Sequence, residues 1–295
     1  MTDPLTVETA PYSIGGIDFE VALSAGPRIV GARSGSSPDF MAKLDGEGIH
    51  HPAVGFLSFI GGHRLWRSPE VPAITYLPDS DPVEVQEVEN GVRLVGPPDG
   101  EGVIKKISVR DEDGFAVLRH TLINEGPAAV RAAPWAITQV PPGGTAYLPF
   151  TTEQVDADGL LPNRNFVLWP YTDLDVPEIT CTTSGITVEA SSSVSKMKIG
   201  TANRLGWIAY HLEGHLLVKW SKLHDDRFVY PDMGASLQCY RNERFLEVET
   251  VAPLGEIVPG QAVTHKEIWK IIDVGDRSTE EVLEGLPAIP EGARL

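Results

Sequence analysis

Glu247 and Glu249 stand two residues apart in the run Phe245-Leu246-Glu247-Val248-Glu249-Thr250. Alternation along a strand sends both carboxylates to one face. Two carboxylates on one face repel, which raises the pKa of one and suits it to act as a general base. Glu249 is the candidate for that role. The densest polar group elsewhere is His63-Arg64, directly after Gly61-Gly62. Glycines allow positive φ and close backbone approach. His63 is therefore the candidate acid, and Arg64 a donor to ligand hydroxyls or to a carboxylate. The plain alternative is a structural turn with His63 bonded to backbone. Glu70, after Pro69, is a ligand contact or a partner for Arg64 or Arg67. Lys196, Lys198 and Asp232 flank strand-like runs. Lys198 offers charge to an anionic ligand, a solvated lysine being the alternative.

Other chemistries find little support. His211 and His215 bracket a tight turn, but in a two-residue hairpin His211 faces Leu216, and the adjacent His50 and His51 point apart if extended. Neither pair converges as a zinc site requires, so no metal is expected. Cys181 and Cys239 are isolated thiols without a CxxC spacing. Glycine-rich phosphate loops, a Gly-x-Ser-x-Gly elbow and a Cys–His pair are all lacking, and no cofactor is expected. The balance of 24 basic against 41 acidic residues leaves a net charge of −17. That charge repels phosphate backbones and anionic lipid, so neither nucleic acid nor a membrane is an expected partner. No apolar run approaches the ~18 residues of a membrane span. Residues 1–12 show no basic stretch followed by an apolar one, and the expected location is cytoplasmic.

The elements that must carry these residues read as strands. Ile17-Asp18-Phe19-Glu20-Val21 alternates as a half-buried strand does. Four pairs of apolar runs flank turn residues: 83–88 and 92–95 around Glu89-Asn90-Gly91, and 104–109 and 115–123 around 111–114. The other two are 207–212 and 215–220 around Glu213-Gly214, and 236–240 and 245–251 around 241–244. Asn-Gly is a strong hairpin signal because both residues tolerate positive φ. Residues 262–272 form a long last strand, and the Ser-x-x-Glu capping box at Ser278 opens a short helix through Leu286. Hairpins without βαβ alternation must pack sheet on sheet. The expected fold is all-β: one large antiparallel β-sandwich over residues 1–295 with a short C-terminal helix.

Three segments carry a resemblance. They are Phe59-Ile60-Gly61-Gly62-His63-Arg64-Leu65-Trp66 with Ser68-Pro69-Glu70; Val117 to Asn124 continuing through Ala133-Pro134-Trp135-Ala136-Ile137-Thr138; and Phe245 to Thr250 followed by Pro259-Gly260, His265, Glu267 and Trp269. In this order, over roughly 55–272, they resemble the galactose-mutarotase-like superfamily, in particular a bacterial branch catalogued as a domain of unknown function. The resemblance implies a supersandwich fold, a sugar as ligand and, in catalytic members, aldose 1-epimerase chemistry. There a histidine protonates the ring oxygen while a glutamate removes the anomeric proton. Glu249-Thr250 resembles the base-bearing Glu-Thr. The acid histidine should fall near Trp135, where this chain has none, and His63 takes its place as candidate. The implied alternative is a non-catalytic sugar-binding or structural protein, whose exposed sheet could form a homodimer. Trp66, Trp135 and Trp169 are indole platforms for the C–H face of a sugar, or simply core.

Overall fold

The computed structural model describes residues 7–191, 196–224, 229–277, 281–282 and 285–286, with the side chains of 45–47 excepted. Strand follows strand along it. First come β1 (Thr9–Ile14), β2 (Ile17–Ala22), β3 (Arg28–Arg33), β4 (Lys43–His51) and β5 (Gly55–Ser68). After the single turn α1 (Pro72–Thr75) follow β6 (Glu84–Val88), β7 (Gly91–Pro98), β8 (Val103–Glu112), β9 (Phe115–Asn124), β10 (Val130–Val140) and β11 (Thr145–Pro149). Then come β12 (Val167–Leu168), β13 (Ile179–Cys181), β14 (Gly185–Glu189), β15 (Met197–Thr201), β16 (Trp207–Leu212) and β17 (His215–Trp220). The last are β18 (Leu237–Arg241), β19 (Leu246–Val251), β20 (Gly255–Ile257) and β21 (Ala262–Asp273).

The strands form two antiparallel sheets packed as a sandwich. One has eleven strands in the order β1-β2-β3-β5-β10-β19-β18-β15-β12, with β4 on β5 and β20 on β10. The other has ten, in the order β13-β14-β11-β16-β17-β21-β9-β8-β7-β6. Their inner faces share one apolar core that includes Phe19, Phe40, Leu65, Leu118, Val248 and Trp269. The Phe19 and Trp269 rings meet across it with centroids 6.2 Å apart.

All four expected hairpins are present as adjacent antiparallel pairs: β6–β7, β8–β9, β16–β17 and β18–β19. Glu213 and Gly214 both take positive φ, as a two-residue hairpin needs. At Asn90-Gly91 only Asn90 does so; Gly91 already belongs to β7, and a Cβ there would lie 2.0 Å from the Val109 carbonyl oxygen. The close approach, rather than the turn, requires that glycine. The expected C-terminal helix falls largely outside the described residues; Glu281 and Val282, which are described, are helical. The described helix, α1, lies instead between β5 and β6, where no helical period was expected.

Candidate functional site

Three adjacent strands, β5, β10 and β19, set the geometry. Arg64 lies opposite Ile137, and Ile137 opposite Glu249, so Arg64 and Glu249 share one face of the eleven-stranded sheet. The next row, His63, Thr138 and Val248, points the other way, into the sandwich. The Gly61-Gly62 pair makes this local packing possible. Both residues have positive φ, and a Cβ would lie 1.8 Å from the Ala42 oxygen at Gly61 and 2.1 Å from the Ile29 oxygen at Gly62. The candidate acid His63 therefore does not join the candidate base Glu249 on that face, as general acid–base action on one sugar would need. His63 is fully buried on the inner face, and its immediate neighbour Arg64 must face outward.

On the outer face, Glu249 accepts from Trp135 Nε1 at 2.6 Å and from Lys198 Nζ at 2.9 Å, both through Oε2. Its Oε1 is buried without a partner. Burial raises its pKa to about 7; the Lys198 ammonium opposes the rise and the Glu247 carboxylate adds to it. Lys198 is not a solvated lysine: its ammonium lies between two indoles, 4.4 Å from the Trp135 ring centre and 5.0 Å from that of Trp169. Glu247 Oε1 accepts from Arg64 at 3.2 Å and from Gln139 Nε2 at 2.8 Å. The Arg64 guanidinium sits 3.7 Å from the centre of the Trp66 ring, and the Trp66 and Trp135 rings meet edge to face at 5.8 Å. Asp79, ion-paired to Arg28, accepts from Trp66 Nε1 at 3.2 Å and fixes that ring.

The remaining expected residues lie at the margin. Glu70 is exposed and accepts from the Tyr76 hydroxyl, whose ring stacks on Trp66, so neither Arg64 nor Arg67 is its partner. Asp232 accepts from Gln238 Nε2 at 2.7 Å, and Gln238 is the cross-strand neighbour of Glu249. The segment Trp169–Thr172 folds back over the site, with the Thr172 hydroxyl donating to the Lys198 carbonyl at 2.6 Å. Burial and the surrounding Tyr240, Glu249, Glu70 and Glu247 raise the pKa of the Tyr171 hydroxyl. Lys196 lies 4.9 Å over the Tyr171 ring rather than at Glu249. Gln139 and Gln238 were missed in the sequence. Gln139 shares the parity of Trp135 and Ile137 in β10, which is a usable signal, whereas nothing periodic points to Tyr171 in its loop.

On the inner face a second polar group fills the gap between the sheets. A carbonyl only accepts, so His120 Nδ1–H donates to His265 O at 3.3 Å, leaving Nε2 to accept from His63 Nε2–H at 2.7 Å. His63 Nδ1 then accepts from the Thr138 hydroxyl at 2.9 Å, whose oxygen accepts from Lys219 Nζ at 2.8 Å. His265 Nε2–H donates to Thr250 Oγ1 at 2.6 Å, and Thr250 donates onward to Glu267. Glu267 also accepts from Lys219 at 3.0 Å and from Trp269 Nε1 at 2.8 Å. Burial depresses the histidines, His120 to about 4 and His265 to about 3, so all three are neutral. Burial alone would raise Glu267, but Lys219 above all brings it below its ordinary value. Ligand atoms of His63, His120 and Glu267 lie within 4.8 Å of one another, a convergence invisible in the sequence. They do not fit a divalent ion, because each donor is already paired and the Lys219 ammonium balances the one carboxylate.

By sequence, neither a family model nor a curated protein matches the chain. Solved structures do. A galactose mutarotase-like protein from Lactobacillus casei is 8% identical, with a TM-score of 0.54 over 90% of this chain and 100% of its own. A galactose mutarotase related enzyme from Lactobacillus acidophilus is 8% identical, with a TM-score of 0.50 over 93% and 100%. A protein of Synechocystis sp. PCC 6803 gives 0.58 at 9% identity over 92% and 98%. The chain has the galactose-mutarotase-like fold.

Proposed function

We propose that this chain is a sugar-binding protein acting as one sandwich domain, and that Glu249 removes the anomeric proton of its ligand. The observation that carries the reading is the state of Glu249. Its carboxylate is buried, poised at about 7, held through one oxygen by Trp135 and Lys198, and unpartnered at the other. A base works best when its pKa lies near the working pH, and such help is worth ~10² to 10⁴ in rate. The indoles of Trp66 and Trp135 line this face, with Arg64 and Tyr76 packed against the first ring and Lys198 against the second. Arg64 and Gln139 place hydrogen-bonding groups beside them.

A second reading, sugar binding without catalysis, is favoured by the inward turn of His63, which leaves no histidine in register with Glu249 on that face. Polarimetry separates the two. A thermal-shift screen of free sugars identifies a ligand. Accelerated mutarotation lost in Glu249→Gln supports the catalytic reading; binding with no acceleration in the wild type removes it. No stabilisation by any sugar would sink both.

A further inference from the structure

We infer that the cleft beside Arg204, at the β12–β15 edge of the eleven-stranded sheet, binds an oxyanion, a phosphate or carboxylate group. The cleft holds about 480 Å³ and is lined by Asn163, Arg164, Asn165, Arg204, Tyr230 and Met233 among others. Its most informative feature is unspent positive charge. The chain carries 41 acidic residues against 24 basic ones. Arg28, Arg64 and Arg67 each pair with a carboxylate, as do the more exposed Arg33 and Arg119. Arg204 forms no ion pair with any described residue, and its Nε and Nη2 are buried with no acceptor. Arg164 reaches only neutral oxygens, Asn163 Oδ1 at 3.2 Å and the Thr183 carbonyl at 2.8 Å. Two guanidiniums without a carboxylate, in a chain with such an acid excess, call for a counter-charge. Planar guanidinium donors match carboxylate and phosphate oxygens two at a time.

The walls are held for the purpose. Asn165 Oδ1 accepts from the Ala202 amide at 2.7 Å, and its Nδ2 donates to the Met233 carbonyl at 3.4 Å, tying three segments together. Asp232, Met233 and Gly234 all have positive φ, a costly run for non-glycine residues that other contacts must enforce. Asp232 is bonded to Gln238, and no carboxylate is among the described lining residues.

The site does not depend on the sugar reading, and the test keeps the two apart. The full chain is titrated calorimetrically at low ionic strength with inorganic phosphate, D-glucuronate, glucose 6-phosphate and, as neutral control, D-glucose. The expected result is saturable binding of at least one oxyanion, weakened roughly tenfold or more in Arg204→Gln, with the binding of inorganic phosphate unchanged in Glu249→Gln. The tighter arm distinguishes a phosphate from a carboxylate. Arg164→Gln, with circular dichroism to verify folding, gives a second variant should Arg204→Gln not fold. Absence of oxyanion binding, binding unaffected in both arginine variants, or an equal loss of inorganic phosphate binding in Glu249→Gln would overturn the assignment.

Discussion

Two polar groups sit back to back on the two faces of β5, β10 and β19, the inner one shared with β9, β17 and β21 of the opposite sheet. The inner one, around His63, Lys219 and Glu267, is closed: one run of hydrogen bonds from Lys219 through Thr138, His63 and His120 to the His265 carbonyl, and another from His265 through Thr250 to Glu267, use its donors and acceptors. The outer one, around Glu249 and Glu247, is nearly as buried but open, with Glu249 Oε1, Gln139 Oε1 and Arg64 Nε unpartnered. Both contain shifted pKa values, and both pair a lysine with a glutamate at 2.9–3.0 Å. Burial and a shifted pKa therefore do not distinguish these two groups. Unspent hydrogen-bonding capacity does, because an unsatisfied buried group costs about 1–3 kcal/mol that only a ligand or water can return.

The sharpest way to break this contrast is to remove one member of each ion pair. Glu267→Gln leaves the Lys219 ammonium buried and uncompensated, and is expected to cost about 3–5 kcal/mol in urea denaturation. Glu249→Gln removes a carboxylate whose charge burial already disfavours and leaves Lys198 between two indoles, and is expected to cost less, about 1–2 kcal/mol. Equal costs would refute the distinction.

The pH dependence of stability differs in sign between the two faces. The inner histidines have folded pKa values depressed below 6.5, so their contribution is complete above that pH. It is lost as pH falls toward about 4 and then about 3. Glu249 has a folded pKa raised from 4.5 to about 7, so its contribution is complete below 4.5 and lost as pH rises through 7. That loss is at most roughly 3 kcal/mol. Denaturation from pH 3 to 8 should show both limbs, and Glu249→Gln should abolish only the upper one.

Lys198→Met isolates the charge that holds Glu249 down. The Glu249 pKa is expected to rise by about one unit or more, read by carboxyl-carbon NMR titration, while the histidine signals stay in place. The smallest effect belongs to Trp135→Phe. It keeps an aromatic ring, though a smaller one, but removes the N–H bonded to Glu249, and should weaken sugar binding several-fold at a stability cost of about 1 kcal/mol or more. If sugar affinity is unchanged, the indole serves the core alone.

Much of the scaffold was legible in the sequence because its signals are local. Each hairpin pairs neighbouring segments through its own turn residues, and Glu213-Gly214 adopts the φ values that its residue types allow. The parity of Glu247 and Glu249 is likewise fixed within six residues of β19, and both do share a face. The His63–Arg64 pair could not be resolved in this way. Their opposite orientations follow from alternation, but which of them joins Glu249 depends on the register of β5 with β10 and of β10 with β19. A slip of one residue would reverse the choice. Nor could the sequence reveal that Lys198 meets Glu249 across 51 positions, or that His63, His120 and Glu267 converge across 204. The amino-acid sequence by itself determined a sandwich of hairpins and a strand bearing two carboxylates on one side. The tertiary structure alone decided which side is core, because that depends on where the second sheet packs.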